Sequence, residues 1–284
     1  MLVNLSEILQ PALDGGYAVG CFNVFGYEDA RAVVAAAEGL GAPVILSANL
    51  DLRDFMPVKM VAALFRDLAE GARVPVCAHL DHTYVAEDVL QAVDLGFSSV
   101  MIDGSQLPLG DNIAVVRRVV DHAHAKGVSV EAEIGSVPYA EGRDHIKSEL
   151  TDPQEARRLA EEGGLDALAV SVGNVHRLSE PGATVDYGRL AEIESLVRLP
   201  LVIHGTSGLY EPDIRKLAGT GVCKFNIGTV LRQAFGGALR QAFADDPKIY
   251  DRLELMRHAM PAVQAEAEHM ITLLGWRSED RAGR

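Results

Sequence analysis

The run Val76-Cys77-Ala78-His79-Leu80-Asp81-His82-Thr83 is apolar at its start and ends in a carboxylate beside an imidazole. Pro75 precedes it and a polar helix start follows, the pattern of a buried parallel strand. Side chains alternate along a strand, so Asp81 and His82 converge only if the chain turns at the strand's C-terminal end. Barrel and open α/β enzymes keep their chemistry at that edge. A carboxylate and an imidazole there suit a metal ligand with an acid/base partner. The alternative is a buried polar pair satisfied by local hydrogen bonds.

The elements that would position such a pair are legible in order. Strand runs are read at 18–24, 43–49, 76–83, 99–105, 128–135, 167–172, 200–204 and 222–227. Helical patterns follow at 28–40, 57–70, 85–95, 112–126, 153–162, 187–197, 211–217 and 230–245, after a short opening helix reaching Gly16. A helical tail covers 247–274. Eight strand–helix alternations are the count of a TIM (β/α)8 barrel, here with a C-terminal helical extension. No linker divides the chain, so 1–284 is read as one barrel domain with a tail over roughly 247–284. A doubly wound sheet would want a Gly-rich fingerprint after its first strand, which Cys21-Phe22-Asn23-Val24-Phe25-Gly26 lacks. The mostly polar stretch from Ser136 to Leu150 is too long for a simple connection and suggests a functional loop.

Composition narrows the setting. The chain has 284 residues, is 48% hydrophobic and carries a formal net charge of −14, which argues against nucleic acid or an anionic membrane as partner. The start of the chain turns polar too early for a signal segment, and no apolar run approaches ~18 residues. Three widely spaced cysteines, Cys21, Cys77 and Cys223, fit buried thiols in a reducing compartment. The expectation is a cytoplasmic protein.

The strand ends collect polar residues: Asn23, Asn49, Asp81 with His82, Asp103, Glu133, Asn174 with His176, His204, and Asn226 with Thr229. His82, His176 and His204 end three different strands, and three imidazoles with an open fourth position make a catalytic zinc site. Asp103 and Glu133 are candidates for partners behind those ligands or for an alternative metal position. His122, His124, His258 and His269 fall on helices and are read as ordinary surface or core residues. The turns His204-Gly205-Thr206-Ser207-Gly208 and Asn226-Ile227-Gly228-Thr229 follow the last two strands, where barrels bind phosphate through exposed backbone N–H groups. A metal, a phosphate cradle and Asp81 together suit reversible carbon–carbon cleavage by a retro-aldol route.

These residues resemble the class II, zinc-dependent ketose-bisphosphate aldolases, especially the tagatose- and fructose-bisphosphate branch. The resemblance rests on His79-Leu80-Asp81-His82, Met101-Ile102-Asp103-Gly104-Ser105, Val130-Glu131-Ala132-Glu133-Ile134-Gly135, His204 to Gly208 and Lys224 to Thr229. It implies Asp81 as the acid/base at the C4 hydroxyl and His82, His176 and His204 as ligands of one catalytic zinc per subunit, with a further monovalent or divalent ion as an option. It implies that Gly205, Thr206, Ser207, Asn226, Ile227, Gly228 and Thr229 hold dihydroxyacetone phosphate. Glu141 is the nearest match to a glutamate exchanging the C3 proton. Arg257 resembles an arginine that reaches a neighbouring subunit's substrate, which implies a homodimer or homotetramer.

Departures cluster in the walls. Arg177 stands where the family usually has Gly, and Asn49, followed by Leu50-Asp51-Leu52, where it usually has Ser and small residues. The substrate is therefore read as a phosphorylated ketose, with an acid sugar phosphate that meets Arg177 as an alternative. A metal-dependent hydrolase on the same barrel and a non-catalytic sugar-phosphate binder are the readings from other classes.

Overall fold

The computed structural model describes residues 1–141 and 147–277. Eight parallel strands form a closed ring: β2 (Val19–Asn23), β3 (Val44–Ala48), β4 (Val76–Thr83), β5 (Ser99–Ile102), β6 (Ser129–Ile134), β7 (Ala167–Val170), β8 (Leu201–Ile203) and β9 (Val222–Ile227). Each pairs with the next, and β9 pairs with β2 to close the barrel. A two-residue strand that the sequence pattern does not announce, β1 (Leu2–Val3), adds to the lower edge of β4 through Leu2 opposite Val76.

Two cores follow from strand alternation. Outward residues such as Phe22, Leu46, Leu80, Ile102 and Phe225 pack against the helices. Inward residues Val19, Cys21, Ile45, Cys77, Met101, Ala169, Val202 and Cys223 meet Leu5, Ile8, Leu9 and Ala12. Those four lie on α1 (Leu5–Gly15), which therefore plugs the floor of the barrel. Its entry is fixed by a reciprocal capping box between Asn4 and Glu7. All three thiols are buried and unpaired.

Around the ring lie α2 (Tyr27–Leu40), α4 (Val58–Gly71), α5 (Ala86–Leu95), α6 (Leu109–His124), α7 (Pro153–Gly163), α8 (Tyr187–Leu196), α9 (Glu211–Ala218) and α10 (Thr229–Asp245). The expected tail helix is α11 (Arg252–Leu273), packed on α2 and α10. One helix lies outside the expected set: α3 (Leu50–Phe55) follows β3 directly, because the Asn49 side chain accepts from Leu52 N and caps it. The long segment after β6 is pinned by short bridges, Ser136 to Glu149 and Tyr139 to His176.

Candidate active site

The strand β4 continues straight through Asp81 and His82 to Thr83, so the expected turn is replaced by another device. Against β5, Leu80 stands opposite Val100 but Thr83 opposite Ile102, leaving one extra residue on β4. Such a bulge breaks strict alternation and re-aims side chains. Asp81 and His82 consequently both line the same pocket. The guanidinium of Arg53, on α3, donates to the carbonyls of Asp81 at 3.0 Å and His82 at 2.6 Å, satisfying backbone groups there.

Ligating atoms of His82, His176 and His204 lie within 4.8 Å of one another. Two of the rings are oriented by carboxylates. His82 Nδ1 donates to Asp103 Oδ2 at 2.8 Å, which turns its Nε2 toward the site. His204 Nε2 stands 3.0 Å from Glu131 Oε1, which leaves Nδ1 facing inward, 2.7 Å from His82 Nε2. Carboxylate-backed imidazoles are the usual arrangement behind a bound metal. The third ring, His176, stacks on Tyr139 at 4.3 Å, and its buried Nε2 has no hydrogen-bond partner among the described residues. A buried nitrogen left open beside two oriented ones fits a divalent cation. A second group, His82, Asp103 and Glu133, also brings its ligating atoms within 4.8 Å.

The electrostatics explain how so many charges share this space. Burial would raise the Asp81 carboxyl, but His82, His204, Lys224 and His79 outweigh it and hold the group well below the usual carboxylate range. Burial opposes charge on His82, yet Asp81, Asp103 and Glu133 push it up to about 9. Burial first, then the charge of His82, pushes His176 and His204 well below the usual histidine range. Glu133 is pushed up to about 8 by burial and by Asp103.

Beneath the imidazoles sits a network to which the sequence pattern assigns no role. Lys224 is fully buried; its Nζ lies 2.9 Å from Glu131 Oε2 and donates to Asn226 Oδ1 at 2.6 Å. Asn226 Nδ2 in turn donates to Asp81 Oδ1 at 3.0 Å. Lys224 thus braces both Asp81, through Asn226, and His204, through Glu131. His79, the other motif histidine, binds Ser99 Oγ at 2.9 Å through Nδ1.

The walls of the pocket come from several strand ends. Gly205, Thr206, Ser207, Asn226, Gly228 and Thr229 all line it, as do Asn49 and Arg177. Thr206 Oγ1 donates to Asn226 O at 2.8 Å and ties the two turns together. Gly205 is required: φ is +71°, and a Cβ there would stand 2.3 Å from Val175 O. Ile227 is buried outside the lining residues. Glu141 and Arg257 are exposed and also lie outside them. Asn23, one of the polar strand-end residues, lines the pocket as well, as do Asp51, Tyr139 and Arg232, to which the sequence pattern assigns no site role.

A closed parallel barrel with its polar and ligating residues gathered at the C-terminal mouth places the chain among the (β/α)8-barrel enzymes. It belongs to the class-II fructose-bisphosphate aldolase family, whose model matches residues 3–279. It is an aldolase, a carbon–carbon lyase. The YdjI aldolase from Escherichia coli K12 superposes with a TM-score of 0.86 at 31% identity, over 97% of this chain and 98% of that one. A crystal structure assigned as a fructose-1,6-bisphosphate aldolase from Coccidioides immitis gives 0.85 at 25% identity, over 98% of both chains. Fructose-bisphosphate aldolase from Campylobacter jejuni shares the fold, with a TM-score of 0.81 at 24% identity over 96% and 95%. Among the described residues no helix is long and apolar enough to cross a membrane.

Proposed function

We propose that the protein is a zinc-dependent aldolase that reversibly splits a phosphorylated ketose, of the fructose- or tagatose-1,6-bisphosphate kind, into dihydroxyacetone phosphate and an aldehyde. The observation that carries this reading is the convergence of the three imidazoles of His82, His176 and His204 next to a pocket lined by the Asp81 carboxylate. His82, His176 and His204 would hold the cation. Three nitrogen ligands suit Zn²⁺ and leave a position for substrate. When bound, the cation supplies Lewis acidity at the substrate carbonyl next to the bond that breaks.

The protein's own groups do the rest. Asp81, aimed by Asn226, takes the proton from the C4 hydroxyl as the C3–C4 bond breaks and returns it in the condensation direction. Glu141 is our candidate for exchanging the C3 proton, reached from the loop after β6. The tied turns at Gly205–Ser207 and Asn226–Thr229 offer backbone N–H groups to the phosphate of dihydroxyacetone phosphate. Asn49 and Arg177 contact the remainder of the substrate, and Arg257 would serve a neighbouring subunit in a homodimer or homotetramer. Three buried free thiols support a cytoplasmic setting.

The test is a coupled assay for dihydroxyacetone phosphate over a panel of phosphorylated ketoses, with and without chelator. Chelator-sensitive release from one or more sugars is the expected result. Release of inorganic phosphate in its place would assign a hydrolase.

A further inference from the structure

The loops after β3 and β7 stand on opposite sides of the ring, four strands apart in either direction. A side chain from each meets its counterpart at the pocket. Arg177 Nη2 donates to both carboxylate oxygens of Asp51, at 3.0 and 2.8 Å, across 126 residues of sequence. Both residues line the pocket, and both side chains stay about a third exposed, 30% for Arg177 and 37% for Asp51. Two of the departures from the family resemblance, Arg177 and the segment after Asn49, are therefore one feature in space.

Three observations mark this pair as more than a surface contact. Arg177 has φ +60°, the one positive value for a non-glycine residue among the described residues. That conformation strains an L-residue and would not strain a glycine. The Asp51 partner is presented on a helix that exists because Asn49 caps it. Arg177 also stands 5.6 Å over the ring of Tyr139, which stacks on His176, so the guanidinium is held from two directions. The third pocket charge nearby is Arg232, whose guanidinium lies 5.4 Å from the Phe25 ring and forms no ion pair with a described carboxylate.

We propose that the Asp51–Arg177 pair is a specificity element lying across the barrel mouth, which sets how much negative charge the site accepts on the aldehyde half of its substrate. The inference rests on the aldolase reading above. Paired, the two charges offset one another, with the cation of Arg232 beside them in the same pocket lining. Asp51→Asn removes a negative charge from this wall and Arg177→Gly a positive one, so the two single substitutions act with opposite sign. A purely structural contact has no such sign.

The experiment is condensation of dihydroxyacetone phosphate with two aldehydes that differ in one anionic group, glyceraldehyde 3-phosphate and glyceraldehyde. The readout is the ratio of their kcat/KM values, in which the shared phosphate cradle and metal cancel. Asp51→Asn raises the anionic-over-neutral ratio about tenfold by removing a negative charge beside the substrate, and Arg177→Gly lowers it about tenfold by removing a positive one. The double variant D51N/R177G returns it to within about threefold of wild type, since both charges are then gone. Shifts of the same sign in both single variants would overturn the proposal, as would equal losses for both aldehydes with the ratio unmoved. A wild-type protein that, with zinc supplied, condenses neither aldehyde would overturn the aldolase reading itself.

Discussion

The floor and the mouth of the pocket hold their charges in opposite ways. On the floor, Lys224, Glu131, His79, His204 and Asp81 are all buried, and Lys224 reaches both Glu131 and, through Asn226, Asp81. At the mouth, Asp51 and Arg177 meet while partly exposed. A buried charge that loses its partner suffers the full desolvation penalty, whereas water takes over at an exposed one. The floor is thus fixed and suited to chemistry that tolerates no change of geometry. The mouth can be altered at little cost in stability, which suits selection among substrates.

The largest expected effect lies on the floor. Asp81→Ala should lower kcat by about 10²–10⁴-fold in the dihydroxyacetone phosphate assay, the usual range for loss of an acid/base group. A loss below tenfold would remove Asp81 from the proton transfer. Next comes Lys224→Met, which strands the Glu131 carboxylate. Urea unfolding should show a loss of about 3–5 kcal/mol, and a loss within about 1 kcal/mol would put this pair on a par with a surface contact. Asp103→Asn keeps the shape but weakens the hold on His82, and zinc affinity measured by competition with a chelator should fall about 10–100-fold. The smallest effect belongs to the mouth: Asp51→Asn should change unfolding free energy by no more than about 1 kcal/mol. A change as large as that of Lys224→Met would erase the contrast between the two regions.

Much of the floor and of the barrel around it is legible in the amino-acid sequence, and the parts that are not have physical reasons. Eight apolar runs with helices between them lead to the barrel, because parallel strands buried on both faces need continuous apolar sequence. Strand-end position is enough to single out Asp81, His82 and His204, whereas His176 lies six residues beyond the end of β7, in the loop that follows it. Bulges have no such signature. In β4 one lets Asp81 and His82 share a pocket without a turn. In β9 an extra residue falls between Val222, opposite Leu201, and Lys224, opposite Val202, so Cys223 and Lys224 both reach the interior. A lysine inside the apolar run Val222–Ile227 is nonetheless a signal, since a buried cation needs a buried anion, and Glu131 is available. The Asp51–Arg177 pair depends on which strands face each other across the ring and on a six-residue helix too short to show periodicity.

The most direct test of the central claim is to titrate zinc into metal-free protein while recording bound metal and release of dihydroxyacetone phosphate together. Rate should rise with occupancy and saturate at about one ion per subunit, and His176→Ala, which removes the ring whose Nε2 has no hydrogen-bond partner among the described residues, should lose both together. Full turnover without metal, or undiminished zinc binding in that variant, would contradict the claim.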